Sequence, residues 1–510
     1  MNNDGKQVWQ VLFLFAGIKF AVHLLANALG GYGYFRDEFY YIACSEHLAL
    51  GYVDHPPLSI FILAVSRALL GDSIIALRFL PAVAAAATVY LSGLMTRELG
   101  GGIRAIVLAC TAALIAPVHL GISSFYSMNS FDLFFWSLAL YIVIVMIKRD
   151  DPKMWLSFGL VAGLGLQNKI SMAFLCFGIL VGLLLTEHRR WLVTKWLWLG
   201  VMIAALLFLP HIIWQVGNDW PTLEFMHNAT TMKNAPITAA EFLLGQVMEL
   251  HPLNFLVWFP GLLMLFFHRE MKKWRIIGWA YLAILVLFIV QQAKVYYLSP
   301  IYPALFAAGA VGIEMFSSRQ GRRWVQPALV GLLATGGILV APLALPILPV
   351  ETYISYAQAL GQTPKAAERQ ELGKLPQHFA DRFGWEEKVA AVARAYNRLT
   401  PEERAHCTIY TDNYGRCGAI DFLGKKYGIP RAISGHNNYW LWGPADSTVN
   451  VVIILGGDRE DHEQVFDEVI ETEVVTNEYC LPYENNLSVF ICRGMKGSLH
   501  EVWPRVKKFI

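Results

Sequence analysis

Residues 154–186 read MWLSFGLVAGLGLQNKISMAFLCFGILVGLLLT, two apolar runs at 154–167 and 170–186 parted only by Asn168-Lys169. Whether this stretch crosses a membrane once or twice decides the fold. A polar pair at membrane depth needs water or a protein cavity, so a tight hairpin is preferred to one broken helix. Nine further apolar stretches fall at 9–29, 74–96, 103–119, 131–147, 196–213, 252–267, 275–291, 297–316 and 324–346. The expectation is eleven transmembrane helices. With the N-terminus inside, sixteen Lys and Arg lie in cytoplasmic segments and six on the opposite side. That is the asymmetry the positive-inside rule demands. Counting 154–186 as one span puts every later loop on the wrong side.

Composition agrees. The chain is 55% hydrophobic and 16% charged, against about a quarter charged in soluble domains. The charges divide unevenly, with 23 Lys+Arg and 17 Asp+Glu in residues 1–349 and 18 and 22 in residues 350–510. The expected domains are therefore a membrane body, 1–349, and a slightly acidic extracytoplasmic α/β domain, 350–510. A net charge of +2 gives no basis for nucleic-acid binding. Lys19 interrupts the first apolar run, which argues against a cleaved signal peptide.

In residues 350–510 the pattern predicts a helix over 386–399, a strand over 407–411, a helix over 419–427 and a strand over 449–455. Segments 479–482 and 487–493 flank a turn at 484–486 and predict a hairpin. Such a hairpin sets Cys480 opposite Cys492, either as a disulfide or as two buried thiols. The four cysteines of this region have no zinc-site spacing.

The first outer loop, 31–73, holds Arg36, Asp37, Glu38, Asp54 and His55 among aromatics. Leu58–Leu70 is short for a span and predicts an interfacial helix. Asp37 either serves chemistry or caps a helix beginning at Glu38. Other polar residues at membrane depth, where they are costly, are Asn129, Asp132, Lys169, Lys294, Tyr296 and Tyr297. Together they predict an outer cavity ringed with cations and hydroxyls. Lys19 and His23 share a helix face. Trp214 and 220–225 form another outer loop, either a lid or interfacial packing. Asn413-Tyr414-Gly415 and 436–443 offer rings for stacking sugars, or a structural loop. Carboxylates beside cations at a bilayer surface suit a lipid-phosphate donor: cations hold the phosphate while a carboxylate takes a proton from an acceptor hydroxyl.

The chain resembles the polyprenyl-phosphate-sugar-dependent glycosyltransferases of the GT-C fold, which include protein O-mannosyltransferases and lipid A aminoarabinose transferases. The residues that carry the resemblance are Arg36-Asp37-Glu38, His55-Pro56-Pro57-Leu58, the segment 163–169 ending in Asn168-Lys169, and Tyr296-Tyr297-Leu298-Ser299-Pro300. It implies that Asp37 is the catalytic base with Glu38 supporting it. It also implies Arg36, Asp54, His55, Asn129, Lys169, Lys294, Tyr296 and Tyr297 as donor-phosphate or substrate contacts. His55 stands where lipid A aminoarabinose transferases carry lysine, which makes phosphate binding there sensitive to pH. Asn129 stands where many relatives carry a second acid. Some relatives need a divalent cation, for which Asp54 and His55 are the candidates.

The function expected is an inverting transfer of sugar from a polyprenyl-phosphate donor to a lipid or protein acceptor at a prokaryotic plasma membrane. A lipid-linked sugar transporter or flippase is the alternative. It calls for polar residues through both membrane halves and often internal repeats, which the sequence lacks.

Overall fold

Long runs of Leu, Ile, Val, Phe and Ala have one stable solution in hydrocarbon, the helix, which satisfies each backbone N–H and C=O internally. The computed structural model describes residues 3–319, 321–364, 368–444 and 449–510. The chain divides into a helical unit (Met1–Gly31, Leu70–Ile213, Pro236–Pro349) and a sheet unit (Tyr32–Leu69, Trp214–Ala235, Val350–Ile510).

In the helical unit each of the eleven expected stretches falls on helix. Length and composition qualify fewer as spans. Among the described residues seven helices are long and apolar enough to cross a membrane, or nine if two bent pairs each count as one. Those pairs are Met172–Leu184 with Glu187–Val193, bent by 112°, and Ala239–Met248 with Pro252–Phe267, bent by 95°. The count of eleven is not reached on this criterion, and prolines and polar breaks are the reason. Helix Ile103–Ile115 stops at Ala116, whose ψ of 114° is what a following Pro117 imposes. Helix Trp155–Asn168 stops at Lys169, which is extended.

The helices pack through small residues. A Cβ at Gly309 would lie 1.9 Å from the Val257 carbonyl, and one at Gly261 2.2 Å from that of Leu305. The backbones of 255–267 and 302–317 therefore touch, as membrane helices do through glycine. Met128–Arg149 is central, with 83% of its most apolar window buried, whereas Lys195–Gly217 is at the rim with 17%. Water would penalise so much exposed hydrocarbon; lipid does not. The chain is a multi-pass membrane protein.

The sheet unit has a five-stranded mixed sheet in the order β2-β1-β3-β5-β4. β1 (Cys407–Thr411) runs parallel to β2 (Ala432–Ile433) and to β3 (Val451–Leu455). β5 (Leu487–Met495) runs antiparallel to β3 and to β4 (Phe466–Val475). All five residues of β3 are buried, which its unbroken run Val-Val-Ile-Ile-Leu requires of a central strand.

The expected hairpin about 484–486 does not form. β5 takes β4 as its partner, and 476–486 is the connection between them. Cys492 sits opposite Val469 and Val452 in that ladder, while the Cys480 thiol donates to the Asn477 carbonyl. All seven cysteines are free, so the Cys480–Cys492 disulfide is absent.

Two segments distant in sequence, Tyr32–Leu69 and Trp214–Ala235, complete this unit. Helix Arg36–Glu46, from the first loop, packs on helix Tyr414–Leu423 through Gly415 and Gly418. A Cβ at Gly418 would lie 2.7 Å from the Phe39 carbonyl. Phe39 then reaches Trp385 at 5.6 Å between ring centroids, on the amphipathic helix Trp385–Asn397. Leu58–Leu70 is a helix with the bounds expected.

Candidate functional site

Helix Arg36–Glu46 begins two residues earlier than a cap at Asp37 would require. Phe35 is the extended N-cap, and its N–H donates to Glu38 Oε2 at 2.8 Å. Glu38 is 1% exposed, and this contact fixes the helix start. Asp37 is left projecting from the first turn with its side chain 32% exposed. Its Oδ1 accepts from the Tyr414 hydroxyl at 2.9 Å and lies 3.4 Å from Arg36 Nε. Among the described residues Oδ2 has no protein hydrogen-bond partner, so one carboxylate oxygen is fixed and the other is open.

Arg36 is held on its far side. Its Nη1 donates to the Tyr483 hydroxyl at 2.5 Å and lies 3.6 Å from Asp381 Oδ1, and its backbone N–H donates to the Asp381 carbonyl at 2.9 Å. Burial raises the Asp381 carboxyl to about 7 against the opposing pull of Arg36. Deeper still, Glu484 Oε2 meets Lys388 at 2.7 Å and Arg416 Nε at 3.0 Å. Burial alone would raise Glu484, but Arg416 and Lys388 overcome it and hold the group down at about 2. Glu484 Oε1 also accepts from Asn413 at 2.9 Å. Asn413 and Arg416 flank Tyr414, so this buried ion cluster sets the position of the hydroxyl that holds Asp37.

Asp54 and His55 occupy a second corner of the same unit. Tyr40 sets its hydroxyl 2.9 Å from Asp54 Oδ1 and 3.0 Å from Asn438 Oδ1. Asn438 Oδ1 also accepts from the Val53 N–H at 2.7 Å. His55 is 1% exposed, stacks on Tyr41 at 4.8 Å and sets Nδ1 3.1 Å from the Pro56 carbonyl. It is a packed ring that holds the loop. Its Nε2 lies 3.9 Å from Asp54 Oδ1. These are two possible metal ligands. Among the described residues no three His, Cys, Asp or Glu side chains are grouped to hold a metal ion.

The remaining expected residues lie in the helical unit. Where Trp155–Asn168 breaks, Lys169 Nζ donates to Asn129 Oδ1 at 2.8 Å and sits 3.3 Å from Asp132 Oδ2. It also lies 4.8 Å from the Tyr297 ring centroid and 5.7 Å from that of Tyr296. Ser171 donates to Asp132 Oδ1 and Asn168 to the Met128 carbonyl. Lys169, Asn129, Tyr296 and Tyr297 are thus one cluster. Lys294 stands just before them, at the N-cap of the turn Val295–Ile301.

The same architecture occurs in solved structures. ArnT from Cupriavidus metallidurans bound to undecaprenyl phosphate superposes with a TM-score of 0.61 at 14% identity, covering 94% of this chain and 97% of that one. The Archaeoglobus fulgidus oligosaccharyltransferase gives 0.51 at 13% identity, covering 89% and 70%.

The chain has the GT-C fold.

Two sequence comparisons agree with that placement. Residues 54–214 match the family model of dolichyl-phosphate-mannose-protein mannosyltransferase. The lipid A galacturonosyltransferase RgtD of Rhizobium johnstonii is 26% identical over 270 residues, 52% of this chain and 56% of that protein. The chain thus matches a little over half the length of this curated relative.

Within this GT-C chain several residues of the clusters escaped sequence reasoning. Asp132, already among the polar residues expected at membrane depth but given no role, is the acid that meets Lys169. Its signal was present, because 129 and 132 are one helical turn apart and share a face. Tyr414 lay in a stretch marked only for its aromatics. Asp381 and Tyr483 had no signal, since nothing local ties them to a helix more than 300 positions earlier. Asn438 and His436 prove to be structural, gripping Tyr40 and the Tyr414 N–H, the latter at 3.3 Å.

Proposed function

We propose that the chain is an inverting membrane glycosyltransferase that moves a sugar from a polyprenyl-phosphate donor to a hydroxyl-bearing acceptor on the outer face of a prokaryotic plasma membrane. The observation that carries this reading is Asp37, on a GT-C fold, with one oxygen fixed by Tyr414 and Arg36 and the other open. The family model matched by residues 54–214 and the ArnT structure bound to undecaprenyl phosphate support a polyprenyl-phosphate donor. The lipid A galacturonosyltransferase relative supports a lipid acceptor.

In this mechanism Asp37 Oδ2 takes the proton of the acceptor hydroxyl. The acceptor oxygen attacks the anomeric carbon, forming the new glycosidic bond. The bond from that carbon to the phosphate oxygen breaks, and polyprenyl phosphate leaves with the electron pair. The phosphate needs charge stabilisation, not a general acid; Lys169 is the cation proposed for that role. Glu38 fixes the helix start that aims Asp37, and Asp54 and His55 order the loop that follows. The distribution of Lys and Arg supports an extracytoplasmic place for the sheet unit.

The test supplies purified protein with a radiolabelled polyprenyl-phosphate sugar and crude envelope acceptors. Wild type is expected to transfer label and Asp37→Asn to lose transfer by two orders of magnitude or more. Equal transfer by the two proteins overturns the base assignment. Failure of wild type to transfer from any donor overturns the glycosyltransferase reading.

A further inference from the structure

The sheet unit contains a cavity of about 220 Å³ for which the proposed chemistry names no ligand. Pockets for drug-sized ligands run to roughly 300–1,000 Å³, so this one suits a smaller group, one substituted sugar ring or less. Four cationic side chains line it, Arg36, Lys233, Arg369 and Lys508, against two side-chain carboxylates, Glu368 and Asp412, with Ile510 also in the lining.

The carboxylates are already engaged. Asp412 pairs with Arg416 at 2.5 Å, and Glu368 lies 4.0 Å from Lys233. Arg369 spends only its Nε, on the Asn234 carbonyl at 3.1 Å. Among the described residues neither Arg369 nor Lys508 has a carboxylate within ion-pair distance. Both are exposed, on segments held together by backbone bonds: Arg369 N–H to the Lys233 carbonyl at 2.8 Å, and Lys508 N–H to the Gly435 carbonyl at 2.8 Å. Two cations are thus set at the cavity without a counter-ion. Its lining includes Arg36 and Tyr414, the two side chains that touch Asp37 Oδ1.

We infer that this cavity binds an anionic substituent, phosphate or carboxylate, on the sugar of a substrate, with Arg369 and Lys508 as its unneutralised ligands. A guanidinium offers paired donors to either anion and an ammonium adds a point charge. The inference rests on the glycosyltransferase reading for its substrate, but its test does not require turnover.

Binding is measured by calorimetry on the full-length protein in detergent at low salt, with four probes: inorganic phosphate, glucose 6-phosphate, glucuronate and neutral glucose. The expected result is binding of at least one anionic sugar, none of glucose, and a loss of tenfold or more in Arg369→Gln/Lys508→Gln. These side chains are exposed, so the variant should fold, and its thermal unfolding is recorded beside wild type. Preference for glucose 6-phosphate identifies a phosphorylated sugar, as on an acceptor; preference for glucuronate identifies a uronate. Equal binding of glucose, binding of inorganic phosphate alone, or unchanged affinity in the double variant overturns the assignment. Intact binding in a protein that transfers no sugar overturns the glycosyltransferase reading and leaves the cavity assignment standing.

Discussion

Tyr414 donates its hydroxyl hydrogen to Asp37 Oδ1 at 2.9 Å, across 377 positions of sequence. The bond fixes one carboxylate oxygen and so aims the other. Tyr414→Phe keeps the ring, which lies 4.7 Å from Tyr40, and removes only the donor. A hydrogen bond to a charged group is worth about 1.5–3 kcal/mol, so kcat should fall roughly 10- to 100-fold while thermal unfolding stays near wild type. Wild-type kcat in Tyr414→Phe would dismiss the bond as a positioning contact.

That relationship also marks the limit of what the sequence makes legible. Apolar runs located the helices, because membrane insertion is a local and additive property of the chain. Asp37 and Lys169 stood out because ionisable groups beside apolar runs are costly wherever they occur. Tyr414, Asp381 and Tyr483 meet Arg36 and Asp37 only through tertiary packing, which leaves no local periodicity. The hairpin expected about 484–486 failed for a related reason. A turn signal was read correctly as a turn, but the partner of β5 lay further back, at 466–475, behind a short helical pattern. Register depends on the partner strand, and one strand alone does not name it.

Asp381 makes stability depend on pH in a definite direction. Its carboxyl titrates at about 7 in the fold against an ordinary 3.8. Between those values the folded protein binds the proton and the unfolded chain does not, so this group's contribution falls as pH rises from 4 to 7 and is level above. Replacing it by Asn removes the slope. The difference in unfolding free energy between wild type and Asp381→Asn should shift toward the variant by up to about 4 kcal/mol across that window. Parallel melting curves at pH 4.5, 6 and 8 that keep a constant gap would rule this out.

Glu484 works in the opposite sense. Lys388 and Arg416 hold it at about 2, below its ordinary 4.5, so its contribution is present above about pH 4.5 and is lost as pH falls through about 2. Glu484→Gln leaves both buried cations without their carboxylate, a change that typically costs about 3–5 kcal/mol. Thermal unfolding followed by tryptophan fluorescence should move down by several degrees at pH 7, and the gap should narrow in acid. A gap that widens in acid contradicts the assignment.

Lys169 should report on the donor alone. Lys169→Met removes the cation beside Asn129 and Asp132, and a charge-assisted contact to phosphate is worth about 1.5–3 kcal/mol. The KM for the polyprenyl-phosphate sugar should rise at least tenfold, and Lys169→Arg should recover part of the loss. A donor KM unchanged in Lys169→Met removes Lys169 from the phosphate site.

Gly418 tests whether the docking of the first-loop helix positions the base. A Cβ at this position would meet the Phe39 carbonyl oxygen at 2.7 Å and carbon at 2.8 Å. Both atoms belong to a helix backbone, which cannot swing aside as a long side chain would. Overpacking of this kind costs about 1–3 kcal/mol, and here the strain falls on the helix that carries Asp37. Gly418→Val should therefore raise amide exchange in 36–46 and lower kcat, with Gly418→Ala milder in both. Gly17 is the matched control, because a Cβ there has nothing within 4 Å. If Gly418→Val exchanges and turns over like Gly17→Val, the helix pair is not what holds Asp37 in place.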